Sequence, residues 1–214
     1  MTFKAGSGLK RLAVVIAMAF GLVLVASAGF YVYLKVSGNI YPVEAGVVYR
    51  SGQLTGGELE QTIAAHGIRT VLNLRGANPG QSWYDDELAA TAARGAAHYD
   101  YRLSARRPVT AAQAEEILQL IRNAPKPILV HCKTGADRTG LVSALYQFSR
   151  GVPASEAERE LSLRFGHFPW LGSRSVAMDD SFRVYVGQAA SRSGGAGQAL
   201  SATDSATLNP GGTR

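Results

Sequence analysis

A chain of 214 residues, 46% hydrophobic with a formal net charge of +6, is long enough for one domain of ordinary size and apolar enough to give it a core. The basic excess would suit nucleic acid, but Lys4, Lys10, Arg11 and Lys35 lie in a stretch without acids, and without those four 18 bases face 16 acids. The charge therefore argues against a nucleic-acid partner, and a single cysteine excludes an internal disulfide.

Leu12 to Leu34 carries no charged residue and follows Lys10-Arg11. About 20 apolar residues cross a bilayer as a helix, and a basic flank stays cytoplasmic. Residues 1–35 are therefore expected to be a signal anchor that spans the inner membrane through Leu12–Leu34, with the rest of the chain periplasmic. A signal peptide cleaved after Ala26-Ser27-Ala28 would also leave it periplasmic. The apolar run continues through Phe30-Tyr31-Val32-Tyr33-Leu34, which favours the anchor. Residues 36–46 read as a linker.

From 47 to 190 strand and helix patterns alternate. Val47–Arg50 is a short strand. Thr55-Gly56-Gly57-Glu58 has capping-box spacing and opens a helix that Gly67 closes. Ile68–Leu74 is the clearest buried strand. Asn78-Pro79-Gly80 signals a turn, and Trp83–Ala93 is a helix with Asp85, Asp86 and Glu87 in its first turn. His98–Leu103 is a strand; Thr110 to Gln113 caps a helix to about Arg122. Ile128-Leu129-Val130 is a strand, and Thr139–Arg150 a helix stopped by Gly151. A further helix runs from Ser155 to about Arg164, then an aromatic linker, Phe165–Leu171, and a last helix, Ser175 to about Ala189. Residues 191–214, rich in Ser, Gly, Ala and Thr, are expected to be disordered. The alternation predicts an α/β fold with a central, mostly parallel sheet and helices on both faces.

The chemistry concentrates in Pro127–Leu141, PILVHCKTGADRTGL. Cys132 ends a buried strand, a glycine-containing loop follows, and the N-terminus of a helix points back at it. Unpaired amides at such a terminus converge on an anion, and successive loop amides form a nest for phosphate oxygens. The same field favours a thiolate at Cys132. Arg138 offers a planar fork for two phosphoryl oxygens, and Thr139 a hydroxyl for the sulfur as it leaves.

HCKTGADRTG resembles the signature His-Cys-x5-Arg-Thr/Ser of the cysteine-dependent phosphatase superfamily, matching at His131, Cys132, Gly135, Arg138, Thr139 and Gly140. The resemblance covers roughly Val47 to Ala189. Tyr49–Leu54 and Gly67–Gly76 are similar to the opening of its dual-specificity branch, especially bacterial exported members. It implies a phosphatase that needs no cofactor or metal, with Cys132 as nucleophile and Arg138 as phosphate clamp. Lys133, Thr134, Gly135, Ala136, Asp137 and Arg138 would surround the phosphate, with His131 and Thr139 in support.

The leaving oxygen needs a general acid. The family usually takes an aspartate from a loop about 30 residues before the cysteine; here that loop reads Ser104-Ala105-Arg106-Arg107 and holds no carboxylate. Asp137 is the preferred candidate, since myotubularin-like and secreted bacterial phosphatases carry an aspartate at that place. Asp100, read as mid-strand and paired with Arg102, is its rival. Arg106 and Arg107 read as a basic pocket rim, Arg75 as structural.

The expected substrates are phosphorylated proteins or small phosphomonoesters. Phosphotyrosine, with or without phosphoserine and phosphothreonine, is the first reading. Lys133 is similar to the residue found in phosphoinositide phosphatases, which makes inositol phosphates the second. A phosphate-binding module without turnover is the third, supported by the missing loop aspartate.

Overall fold

The computed structural model describes the backbone of residues 6–206 and the side chains of residues 8–192. Helix α1 (Gly6–Val36) is long and apolar enough to cross a membrane, and its apolar stretch is not buried against the rest of the chain. At about 1.5 Å per residue it exceeds the roughly 30 Å of a hydrocarbon core.

The domain is a five-stranded sheet in the order β1-β2-β5-β3-β4. Its strands are β1 (Tyr41–Glu44), β2 (Val48–Ser51), β3 (Thr70–Asn73), β4 (Ala97–Asp100) and β5 (Ile128–His131). β1 runs antiparallel to β2; the other pairings are parallel. β5 occupies the centre, with Val48–Ser51 and Thr70–Asn73 in register on either side of it. The carboxyl ends of β2, β5 and β3 therefore form one edge, where open α/β sheets hold their ligands.

Both faces of β5 are covered, which is why its residues read as an unbroken apolar run. Ile128 and Val130 pack on one side with Ile117, Leu118 and Ile121 of α4 (Ala111–Asn123). The same core takes Leu141 and Leu145 of α5 (Asp137–Ser149) and Met178 and Phe182 of α7 (Val176–Ala206). Leu129 faces the other way with Val71, Leu59 and Ile63 of α2 (Gly56–His66), and Ala90 of α3 (Ser82–Ala93). Both predicted capping boxes form: Thr55 with Glu58, and Thr110 with Gln113, and Gly67 takes the left-handed conformation that ends α2.

Three expectations need correction. The linker at 36–46 contains β1, an edge strand, the position in a sheet where proline is tolerated. The helix expected from Ser155 to Arg164 is only one turn, α6 (Ala154–Ala157), followed by 3₁₀ turns at Glu158–Glu160 and Leu163–Phe165. The backbone at Glu160 presses on Gly140 of α5, so closely that a Cβ there would lie 2.8 Å from the Glu160 carbonyl oxygen. Finally, the last helix, expected to end near Ala189, continues as α7 to Ala206, into the 191–214 tail. The remainder of that tail, 207–214, lies outside the described residues.

Candidate active site

Cys132 follows the last residue of β5 and is buried. Between it and α5 the loop turns through Gly135 at φ +75°, a conformation L side chains rarely adopt. A Cβ there would fall 2.7 Å from the Gly52 nitrogen and 2.8 Å from the Ser51 carbonyl, so the glycine also lets the loop lie against the end of β2. Two side chains hold it from behind. Arg50, fully buried, donates to the Gly135 carbonyl (2.6 Å) and the Glu160 carbonyl (2.9 Å), and pairs with the Glu160 carboxylate. Its guanidinium lies 3.7 Å from the centre of the Phe165 ring. Asn39, also buried, donates to the carbonyls of Thr134 and Phe165, both at 2.9 Å.

Burial pushes the Cys132 thiol up, but the Arg138 charge, the Thr139 hydroxyl and the amides of Thr139 and Thr134 outweigh it and leave the thiol below its ordinary range. The Thr139 hydroxyl is buried and without another partner, and it helps lower the Cys132 thiol. Arg138 is anchored from the far side by one nitrogen, which donates to the carbonyls of Leu74 (3.2 Å) and Leu103 (3.4 Å) beyond β3 and β4. Its Nε is buried with no protein acceptor, a donor that an anion would satisfy.

A second layer lies under His131. Its Nε2 is 3.2 Å from Glu87 Oε1, which also faces His98 Nε2 at 2.8 Å. Burial pushes the Glu87 carboxyl up, but the bonds from His131, His98 and Gln53 prevail and hold it down at about 2. Gln53 in turn accepts from Arg75 at 2.9 Å. Arg75 stacks on Trp83, 3.3 Å from the ring centre, and burial and the nearby Arg138 charge lower its pKa. Arg75, read as structural, is thus electrostatically part of the site.

Asp137 opens α5, and its Oδ1 lies 2.7 Å from Nδ1 of His167. His167 is fully buried, and its other nitrogen lies 2.9 Å from Asp179 Oδ2. A carboxylate on each side favours the protonated ring, in which both nitrogens donate. Burial opposes that charge, but the two aspartates raise the pKa regardless. Asp137 remains 27% exposed and lines a cavity of about 400 Å³ with Ala105, Arg106, Ser173, Arg174 and Ser175. Arg107 lines a separate cavity with Arg102 and Gln113. Lys133 is exposed on the loop.

Asp100 is not mid-strand but the last residue of β4, and its carboxylate is occupied. It accepts from Asn73 (2.8 Å) and from the Tyr84 hydroxyl, while Arg102 donates instead to the Ala77 carbonyl. The loop thus brings together Cys132, Asp137, Arg138 and Thr139 as expected. Arg50, Asn39, Glu87, His167 and Asp179 escaped the sequence reading. His167, alone among the aromatics of FGHFPWL, was the one visible signal.

A sequence profile described as "Tyrosine phosphatase family" matches residues 33–163, more than half of the chain. No curated protein sequence matches it. Among solved structures, TpbA of P. aeruginosa is 22% identical, with 69% of this chain and 90% of TpbA covered and a TM-score of 0.52. A variant of TpbA was solved in complex with pTyr. The catalytic core of the PP-IP phosphatase SIW14 from S. cerevisiae, in complex with citrate, is 19% identical over 70% of this chain and 91% of that one, with a TM-score of 0.54. These likenesses show the same fold. The profile, joined to a buried cysteine at the end of a central strand, shows that the chain belongs to the tyrosine phosphatase family, in its cysteine-dependent branch.

Proposed function

We propose that the chain is a phosphomonoester hydrolase acting through a phosphocysteine, tethered in a bacterial inner membrane by α1 with its domain in the periplasm. The observation that carries the reading is the buried Cys132 at the end of β5, beside an Arg138 whose Nε is buried without a protein acceptor, and the thiol pKa is lowered accordingly. Sγ attacks phosphorus, and the bond to the leaving oxygen breaks. Asp137 carries its proton on Oδ2, since Oδ1 accepts from His167, and gives it to that oxygen. Water then attacks the phosphocysteine, Asp137 takes a proton from it, and the sulfur leaves as a thiolate held by Thr139. The amides of Lys133 to Ala136 and the Arg138 fork hold the equatorial oxygens throughout. Thr134 also fixes the loop, because its carbonyl accepts from Asn39. A binding module without turnover has no use for such a thiol.

The substrate of the first reading is phosphotyrosine, with or without phosphoserine and phosphothreonine, on exported or membrane proteins. One observation favours a second, inositol phosphates: Arg106 and Arg174 share a cavity with Asp137, and Lys133 is exposed nearby, so a second phosphate would meet fixed charge. The test is a panel of phosphotyrosine peptides, phosphoserine peptides and inositol phosphates given to the full chain. A kcat/KM at least tenfold higher on phosphotyrosine peptides supports the first reading; the reverse order supports the second. No turnover of any of them sinks both.

A further inference from the structure

The end of α1 is built into the active-site loop. Just beyond Val36, the Gly38 carbonyl accepts from Gly52 (2.8 Å) and Asn39 donates to Thr134 and Phe165. The hydroxyls of Tyr33 and Tyr41 meet at 3.2 Å, tying the last turns of α1 to β1. Leu34 lies against Gly166, where a Cβ would come within 2.9 Å of Leu34 Cδ1. The membrane-facing helix, the phosphate loop and the turn at Phe165–Gly166 are thus one packed unit.

From this unit the chain holds a cluster of large apolar side chains out in the open. Phe168 is 44% exposed, Trp170 52% and Leu171 94%. The rings of Phe168 and Trp170 pack edge to face with centres 5.1 Å apart. Leu171 has φ 56°, an unusual conformation for a leucine, and its side chain stands almost wholly in the open. All three follow within five residues of Gly166, so by chain length they lie no more than roughly 18 Å from the turn that touches Leu34. The cluster has a basic residue on each side, Arg164 and Arg174, and the exposed Tyr31 and Tyr33 stand on the last turns of α1. Aromatic and aliphatic side chains flanked by bases, a few residues from a turn that packs on the end of an apolar helix, have the composition of a membrane–water boundary.

We propose that Phe168, Trp170 and Leu171 enter the interfacial layer of the same bilayer that α1 spans, so that the domain lies against the membrane rather than swinging from it. The occupant is a lipid surface because the cluster is continuous with α1 and carries the flanking charge that anionic headgroups attract. His167 directly precedes this segment, and Ser173 and Arg174, which line the cavity beside Asp137, follow it after Gly172. The substrate entrance is therefore held next to the membrane surface.

The proposal rests on α1 remaining attached, and the experiment separates the two. The chain has two tryptophans. Full-length Trp83→Phe protein is reconstituted into phosphatidylcholine–phosphatidylglycerol vesicles, leaving Trp170 as reporter. Lipids brominated on the upper acyl chain are expected to quench at least half of its emission, and aqueous acrylamide to quench it several-fold less than in the denatured chain. If Trp83→Phe does not fold, the difference between wild-type and Trp170→Phe spectra reads the same quantity. A companion with Val23→Trp and no other tryptophan reports on α1. Quenching at position 23 with none at Trp170 overturns the docking and leaves the anchor standing. Quenching at neither position overturns the anchor, and the docking with it.

Discussion

The buried His167 stands between two carboxylates, its Nδ1 2.7 Å from Asp137 Oδ1 and its Nε2 2.9 Å from Asp179 Oδ2, so the aspartate next to Arg138 is held from behind. If Asp137 is the acid, Asp137→Asn should slow a phosphoserine peptide by a hundredfold or more, the range of general acid catalysis. It should slow para-nitrophenyl phosphate far less, because that leaving group departs nearly unaided. Equal losses on both would make Asp137 a brace. His167→Gln should show the same leaving-group pattern in weaker form.

The same pair carries a pH signature in stability. The folded pKa of His167 is raised above the ordinary 6.5, so its contribution is complete below that value and is lost as pH rises through the folded pKa. Thermal denaturation should therefore show His167→Gln costing more at pH 6 than at pH 9. The opposite order would mean that the imidazole is buried neutral.

Cys132→Ser should abolish turnover while the protein still binds phosphate or vanadate. Residual activity within tenfold of wild type would falsify the phosphocysteine route. Arg138→Lys should cost on the order of a hundredfold or more, since an ammonium cannot reproduce two parallel hydrogen bonds. Thr139→Ala should move the acid limb of kcat/KM upward, because the hydroxyl helps lower the thiol pKa. It should also let phosphoenzyme accumulate, visible as a burst in stopped-flow assays.

Glu87 is held at about 2 against 4.5 for an ordinary glutamate. A depressed carboxyl stabilises the fold above 4.5, and that contribution fades as pH falls from there to about 2. The shift corresponds to on the order of 3 kcal/mol. Glu87→Gln should lower the melting temperature at neutral pH and flatten the acid side of the stability profile. An unchanged profile would show that His131 does not depend on Glu87 for its orientation.

The anchor is tested in cells. Full-length protein should fractionate with the inner membrane, with its domain open to protease added from the periplasmic side. A mature N-terminus at Gly29 would show cleavage instead, and protection from that protease would reverse the topology.

What could be read from the sequence was what local patterns dictate. The apolar run at Ile128–Val130, the capping boxes at Thr55 and Thr110 and the glycine in the phosphate loop each follow from neighbouring residues, and each took its expected place. The strand at Tyr41–Glu44 was hidden because its partner, not its pattern, makes it a strand. Arg50, Asn39, Glu87 and His167 were hidden for a related reason. Each acts on the loop across a large sequence separation, as Asn39 does on Thr134 and Arg50 on Gly135. A buried polar side chain looks like a surface one until its partner is known.

The positive charges around the site fall into two zones. Arg50 is buried, whereas Lys133, Arg106 and Arg174 stand in solvent. Counter-ions screen exposed charges over about 8 Å at physiological ionic strength and hardly reach a buried one. Added salt should therefore weaken the capture of polyanionic substrates while the phosphate loop keeps its shape, so ionic strength should act on KM and leave kcat nearly constant.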